Sequence, residues 1–163
     1  MPPAELKFTQ DDIEKLSKLL RDPQWYAEQR LKAWRMYKRT PMPTLQDEAW
    51  RRTDIRSMRW QDVEHRVLNP KSLRSKDGKV PAKLLKPLVG KDHGGQIIIN
   101  NGKVTDRSLD SSLRRQGVVF TDLRTAVNKH RDLLEKYLGK AVKIREGKFA
   151  AMAAALADQG VFV

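Results

Sequence analysis

The chain has 163 residues, 39% hydrophobic and 33% charged, with a formal net charge of +13. That length suits one domain, or one domain with an arm, and so wet a composition implies a small core and much exposed helix. With no cysteine, these residues form no disulfide and offer no thiol nucleophile or thiolate ligand for zinc or iron–sulfur clusters.

No stretch approaches the ~20 apolar residues of a membrane span. The opening MPPAELKF lacks the charged-then-apolar layout of an export signal, so a cytoplasmic protein without a membrane partner is expected. Charge is nearly balanced over residues 1–48, and the basic excess begins at Ala49. Such an excess permits polyanion binding but does not establish it.

The first helix is signalled by Thr9 as cap, with Asp12 three residues on and Ile13, Leu16, Leu19 and Leu20 on one face. Asp22-Pro23 closes it and opens the next, with Pro23 in the first turn. From Gln24 to about Arg39, Ala27, Leu31 and Trp34 make an apolar stripe, with Trp25 and Tyr37 at its edges. Two helices joined so tightly are expected to pack as a hairpin or on something larger.

Thr40-Pro41-Met42-Pro43 is an extended break. Trp50, flanked by Arg51 and Arg52, suits either a stacking and phosphate-contact site or a core Trp with two arginines reaching outward; the core role takes precedence. Trp60, Val63 and Val67 have helical spacing. Residues 69–95 show no clear period and read as a basic connection, with a short helical turn around Ala82–Leu85.

The period then changes. Ile97-Ile98-Ile99, Asn100-Asn101-Gly102 and Lys103-Val104 predict a hairpin, because Asn-Gly supplies the positive φ of a tight turn. GVVF at 117–120 is expected as a third strand. Thr121 or Asp122 caps a helix carrying Leu123, Ala126 and Val127, and Leu133, Leu134, Tyr137 and Leu138 mark another that Gly139 stops. A last helix is predicted over Lys148–Asp158, with Phe149, Met152, Ala153 and Leu156 inward. Gly160 ends it, and Val161-Phe162-Val163 reads as the opening of a buried strand.

No phosphate-binding Gly-Lys-Ser/Thr loop, GxGxxG or GxSxG elbow is present. Asp11-Asp12 and Asp47-Glu48 are simplest as helix caps and dipole partners. His65, His93 and His130 lack metal-ligand spacing, and His93 in KDHGG has no partner acid or base nearby.

Five segments in this order resemble the SufB/SufD iron–sulfur cluster assembly family: DPQWYAEQRLKAWRMYKRTPMPT leading to EAWRRTDI, then IIINNGKV, GVVFTDLRTAV, EKYLG and KFAAMAAALADQGVFV. EAWRRTDI is nearer the N-terminal region of the SufD branch than that of SufB. The resemblance implies an α+β fold: N-terminal amphipathic helices (1–68), a basic flexible connection (69–95) and a small α+β region (96–163) leading into a right-handed parallel β-helix. On that basis Val161, Phe162 and Val163 are expected as the first strand of a β-helix core lying beyond the chain, and as its candidate contact.

The resemblance further implies a scaffold rather than an enzyme. It would act by protein–protein contact with SufB-like and SufC-like (ABC ATPase) subunits, with no catalytic residue, metal or cofactor within these residues. The family's cluster-related residues belong chiefly to later segments, so none is carried over. The basic excess is not explained by the resemblance. It keeps open a second reading, a small nucleic-acid-binding module supported by the charge and by four tryptophans among arginines.

Overall fold

A computed structural model describes residues 6–60, 81–86, 93–100 and 103–163. These residues divide into two units, one within Met1–Arg74 and Glu135–Ala157, the other within Ser75–Leu134 and Asp158–Val163. Most of the predicted connection, and the predicted Val63 and Val67 positions, lie outside the described residues. Its helical turn at Ala82–Leu85 is present as a 3-10 turn.

In the first unit, α1 (Gln10–Leu20) begins with a full capping box: Thr9 Oγ1 accepts from the Asp12 N–H, and Asp12 accepts from the Thr9 N–H. It stops one residue before Asp22, at Arg21, whose φ of 55° is left-handed. The Asp22 N–H then returns to the Ser17 carbonyl at 2.9 Å. Pro23 is the residue that precedes α2 (Gln24–Arg39), not one within its first turn.

The buried face of α2 is offset by one residue from the predicted Ala27, Leu31 and Trp34 stripe, which is half-buried. Tyr26, Arg30, Ala33 and Tyr37 are the residues fully inside. Counting apolar residues assigns Arg30 to solvent, yet its Nε lies 2.7 Å from Asp22 Oδ2 with neither side chain exposed. A charge survives burial when it is paired and hydrogen-bonded.

The same unit holds α6 (Lys148–Leu156) antiparallel to α2, and polar side chains fasten both of its ends. A helix leaves its last four carbonyls unpaired. Arg30 Nη1 donates to the Ala155 carbonyl at 3.0 Å, and at the opposite end Lys148 Nζ donates to the Tyr37 carbonyl at 2.8 Å. Between these clasps Ala33, Ala151 and Ala155 are fully buried, small enough for the backbones to approach. The inward face of α6 therefore centres on Lys148, Ala151 and Ala155. Phe149, Met152 and Leu156 flank it, and Ala153, expected inside, is exposed.

The segment before α1, to which sequence periodicity assigns no role, is also core. Leu6 and Phe8 are buried, and their carbonyls accept from Tyr37 Oη at 2.7 Å and Trp34 Nε1 at 3.1 Å.

In the second unit, β1 (Gly95–Asn100) and β2 (Lys103–Leu109) form the predicted antiparallel hairpin, Asn100 opposite Lys103, with a bulge between Ile98 and Ile99. A short helix, α3 (Ser111–Arg115), follows under an Asp110 cap. It accounts for the main departure from expectation: GVVF is not a strand. Gly117 takes φ +86° and the Val118 N–H closes back on the Leu113 carbonyl at 3.1 Å, so its start serves the helix end. The strand is instead β3 (Thr121–Asp122), followed by α4 (Leu123–Lys129), with Ala126 and Val127 buried, and then α5 (Arg131–Tyr137), whose last three residues are counted in the first unit. The paired glycines of KDHGG have a packing reason. A Cβ on Gly94 would collide with the Leu113 side chain, and one on Gly95 would stand 2.9 Å from the Ser108 carbonyl.

Candidate functional site

The terminal strand, β4 (Val161–Phe162), pairs antiparallel with β3, Thr121 opposite Phe162 and Asp122 opposite Val161. The Leu123 N–H extends this pairing to the Gly160 carbonyl at 2.9 Å. Alternation along a strand separates the three candidate contact residues. Phe162 turns to stack on His130 at 5.5 Å between ring centres, whereas Val161 and Val163 face solvent at 49% and 80% exposure.

Beside this strand pair stands a polar cluster for which sequence spacing gives no signal. Arg107 Nη1 donates to Thr121 Oγ1 at 2.5 Å and to Asp122 Oδ2 at 2.6 Å. Asp122, the α4 cap, also accepts from the Thr125 N–H and hydroxyl, each at 2.8 Å. Burial pushes the Asp122 carboxyl upward, but the Thr125 bonds and the Arg107 charge outweigh it and hold the group below its ordinary range. Sequence reading finds the cap; Arg107 lies fifteen residues away on the hairpin, a distance no local pattern reports. The cluster's hydrogen bonds tie β2 to the start of α4, which is an architectural role.

The other candidates also have structural employment. Asp12 serves the capping box, Asp11 pairs with Lys15, Asp47 accepts from the Thr44 N–H at 2.7 Å, and Glu48 meets Arg51 at 3.3 Å. In EAWRRTDI, Ile55 is buried, and hydrogen bonds from Arg56 hold the Asp54 carboxyl at about 2. His93 is exposed and His65 lies outside the described residues. Among the described residues, no group of three or more His, Asp or Glu side chains is placed to hold a metal ion. No helix of the described residues is long and apolar enough to cross a membrane.

The tryptophans bear on the nucleic-acid reading. Trp60 is buried, Trp34 is half-buried with its Nε1 bonded to Phe8, and Trp50 stacks on Phe149 at 5.1 Å. Those rings are engaged in packing, although Trp50 is half-buried and outside the core cluster rather than the core residue expected, while Arg51 and Arg52 are exposed.

The chain is 28% identical over 163 residues to the iron–sulfur cluster assembly protein SufD of Bacillus subtilis, covering 98% of this chain and 36% of that protein. It is 26% identical over 166 residues to an iron–sulfur cluster assembly SufBD family protein of Arabidopsis thaliana, covering 95% of this chain and 35% of the relative. A SufBD family protein of Staphylococcus haemolyticus is 22% identical over 168 residues, covering 98% and 35%. The chain thus spans about a third of the length of these relatives. No solved structure matches it. The family model described as the SufBD protein N-terminal region matches residues 14–163, nearly the whole chain, and the chain therefore belongs to the SufBD family as a form of that N-terminal region.

Proposed function

We propose that the protein works in iron–sulfur cluster assembly as a SufD-like scaffold subunit, with this chain as its N-terminal part acting through protein–protein contacts. The observation that carries the proposal is the family match over residues 14–163, joined to relatives whose names specify iron–sulfur cluster assembly. The partners are SufB-like and SufC-like (ABC ATPase) subunits, and the setting is the cytoplasm. The region is not itself catalytic and carries no cofactor of its own.

In this proposal β4 leads toward a right-handed parallel β-helix, with Val161, Phe162 and Val163 as its contact. The outward Val161 and Val163 support that role, since apolar strand residues gain by being covered. Phe162 would keep its place on His130.

Depleting the full-length protein from its source cells tests the function. The activities of iron–sulfur enzymes such as aconitase should fall several-fold relative to a cluster-free dehydrogenase and return on re-expression. Unchanged activities in cells lacking the protein would contradict the proposal.

A further inference from the structure

The turn that follows α5 presents a surface that neither the core nor the polar clusters use. Residues 136–145 contain Lys136, Lys140, Lys143 and Arg145 and no acidic residue. Among the described residues, no ion pair joins any of these four cations to a carboxylate. Tyr137, Leu138 and Val142 stand between them at 59%, 46% and 61% exposure.

The exposure is a feature of a built turn. Gly139 supplies φ +72°, and the Lys140 N–H donates to the Tyr137 carbonyl at 3.1 Å. Further on, the Lys143 N–H donates to Glu146 Oε1 and the Glu146 N–H to the Lys143 carbonyl, each at 3.0 Å. Ile144, from the same turn, packs against the helical core. An interior was within reach, and the fold sent Ile144 there while leaving three larger or branched apolar groups outside.

We propose that the Tyr137–Arg145 turn is a docking surface for an acidic amphipathic segment of a partner protein. Apolar side chains with four cations among them, and the Glu146 carboxylate turned onto the Lys143 N–H, match a partner with an apolar stripe flanked by carboxylates, because burial supplies affinity and charge supplies orientation and rate. A second copy of this turn would set its four cations against the same four and is disfavoured. Nucleic acid would satisfy the cations and leave Leu138 and Val142 wet. An anionic membrane would accept both chemistries, but three apolar side chains on one turn fall short of the broad apolar face that interfacial helices use. The inference does not depend on a role in cluster assembly.

The test places p-benzoylphenylalanine at position 142 of the full-length protein in its source cells, with position 29 on the exposed side of α2 as control. Irradiation should link position 142 to a protein peptide that is net acidic and contains apolar residues. K140E/K143E should lower the yield by about fivefold or more, because the charges that orient an acidic partner are then reversed, with an unchanged melting temperature. Irradiating a lysate at about 0.5 M salt should lower it likewise, independently of any variant. A product with lipid, nucleic acid or a second copy would overturn the proposal. So would a non-acidic peptide, a yield indifferent to both charge reversal and salt, or no product above the position 29 control.

Discussion

The two units are assembled by opposite means. In the first, charged and hydroxyl groups go inside, and Arg30, Lys148 and Tyr37 each donate to a backbone carbonyl. In the second, the chief polar cluster stays near the surface, where the Arg107 side chain is 42% exposed, and among the described residues the buried set is the small group Thr121, Ala126, Val127 and Leu134. An interior donor counts for more than a surface one because water cannot replace it. The same change of residue type should therefore cost far more in the first unit.

The sharpest way to break this contrast is Arg30→Ala. It leaves Asp22 buried without its partner and frees the Ala155 carbonyl, so unfolding in urea should show a loss of about 3–5 kcal/mol. Arg30→Met combined with Asp22→Asn should recover part of it, since the uncompensated charge is then gone. A single-variant loss below about 1 kcal/mol would class Arg30 with ordinary surface pairs.

Next in size is Ala155→Leu, which forces a larger side chain into the fully buried α2–α6 contact. Overpacking of this kind costs about 1–3 kcal/mol. The matching change at exposed Ala153 should be close to neutral, and equal losses at the two positions would contradict the assigned inward face.

The smallest effect is expected in the second unit. Asp122→Ala removes the α4 cap and the Arg107 partner, worth about 1 kcal/mol at neutral pH. The sign of its pH dependence follows from a carboxyl held below its ordinary 3.8. The stabilisation is complete above that value and disappears as pH falls through the lower folded-state value. The stability gap between wild type and Asp122→Ala should therefore narrow as pH falls below 3.8 and through the lower folded-state value. A gap that persists there would mean Asp122 acts through packing rather than charge.

These cases also mark what the amino-acid pattern could disclose. Elements set by local chemistry were legible: the Thr9–Asp12 box, the bounds of α2, the β1–β2 pairing (the Asn101-Gly102 turn itself lies outside the described residues), the Asp122 cap and the Gly139 stop. Faces set by distant partners were not. The stripe on α2 is displaced by one residue because Arg30 finds Asp22 and α6, and the inward side of α6 shifts because Lys148 finds Tyr37. GVVF failed as a strand for a nearer reason, the closure of the short α3 ahead of it. At the candidate site, Val161 to Val163 were visible as an apolar run, but Arg107 came to it through the hairpin fold.

The central claim is membership of a cluster-assembly scaffold, and purification of the tagged full-length protein from its source cells tests it most directly. The account predicts a stoichiometric complex containing a SufB-like subunit and an ABC-type ATPase that survives moderate salt. A protein recovered without either subunit, or one recovered with nucleic acid that salt strips away, would contradict it.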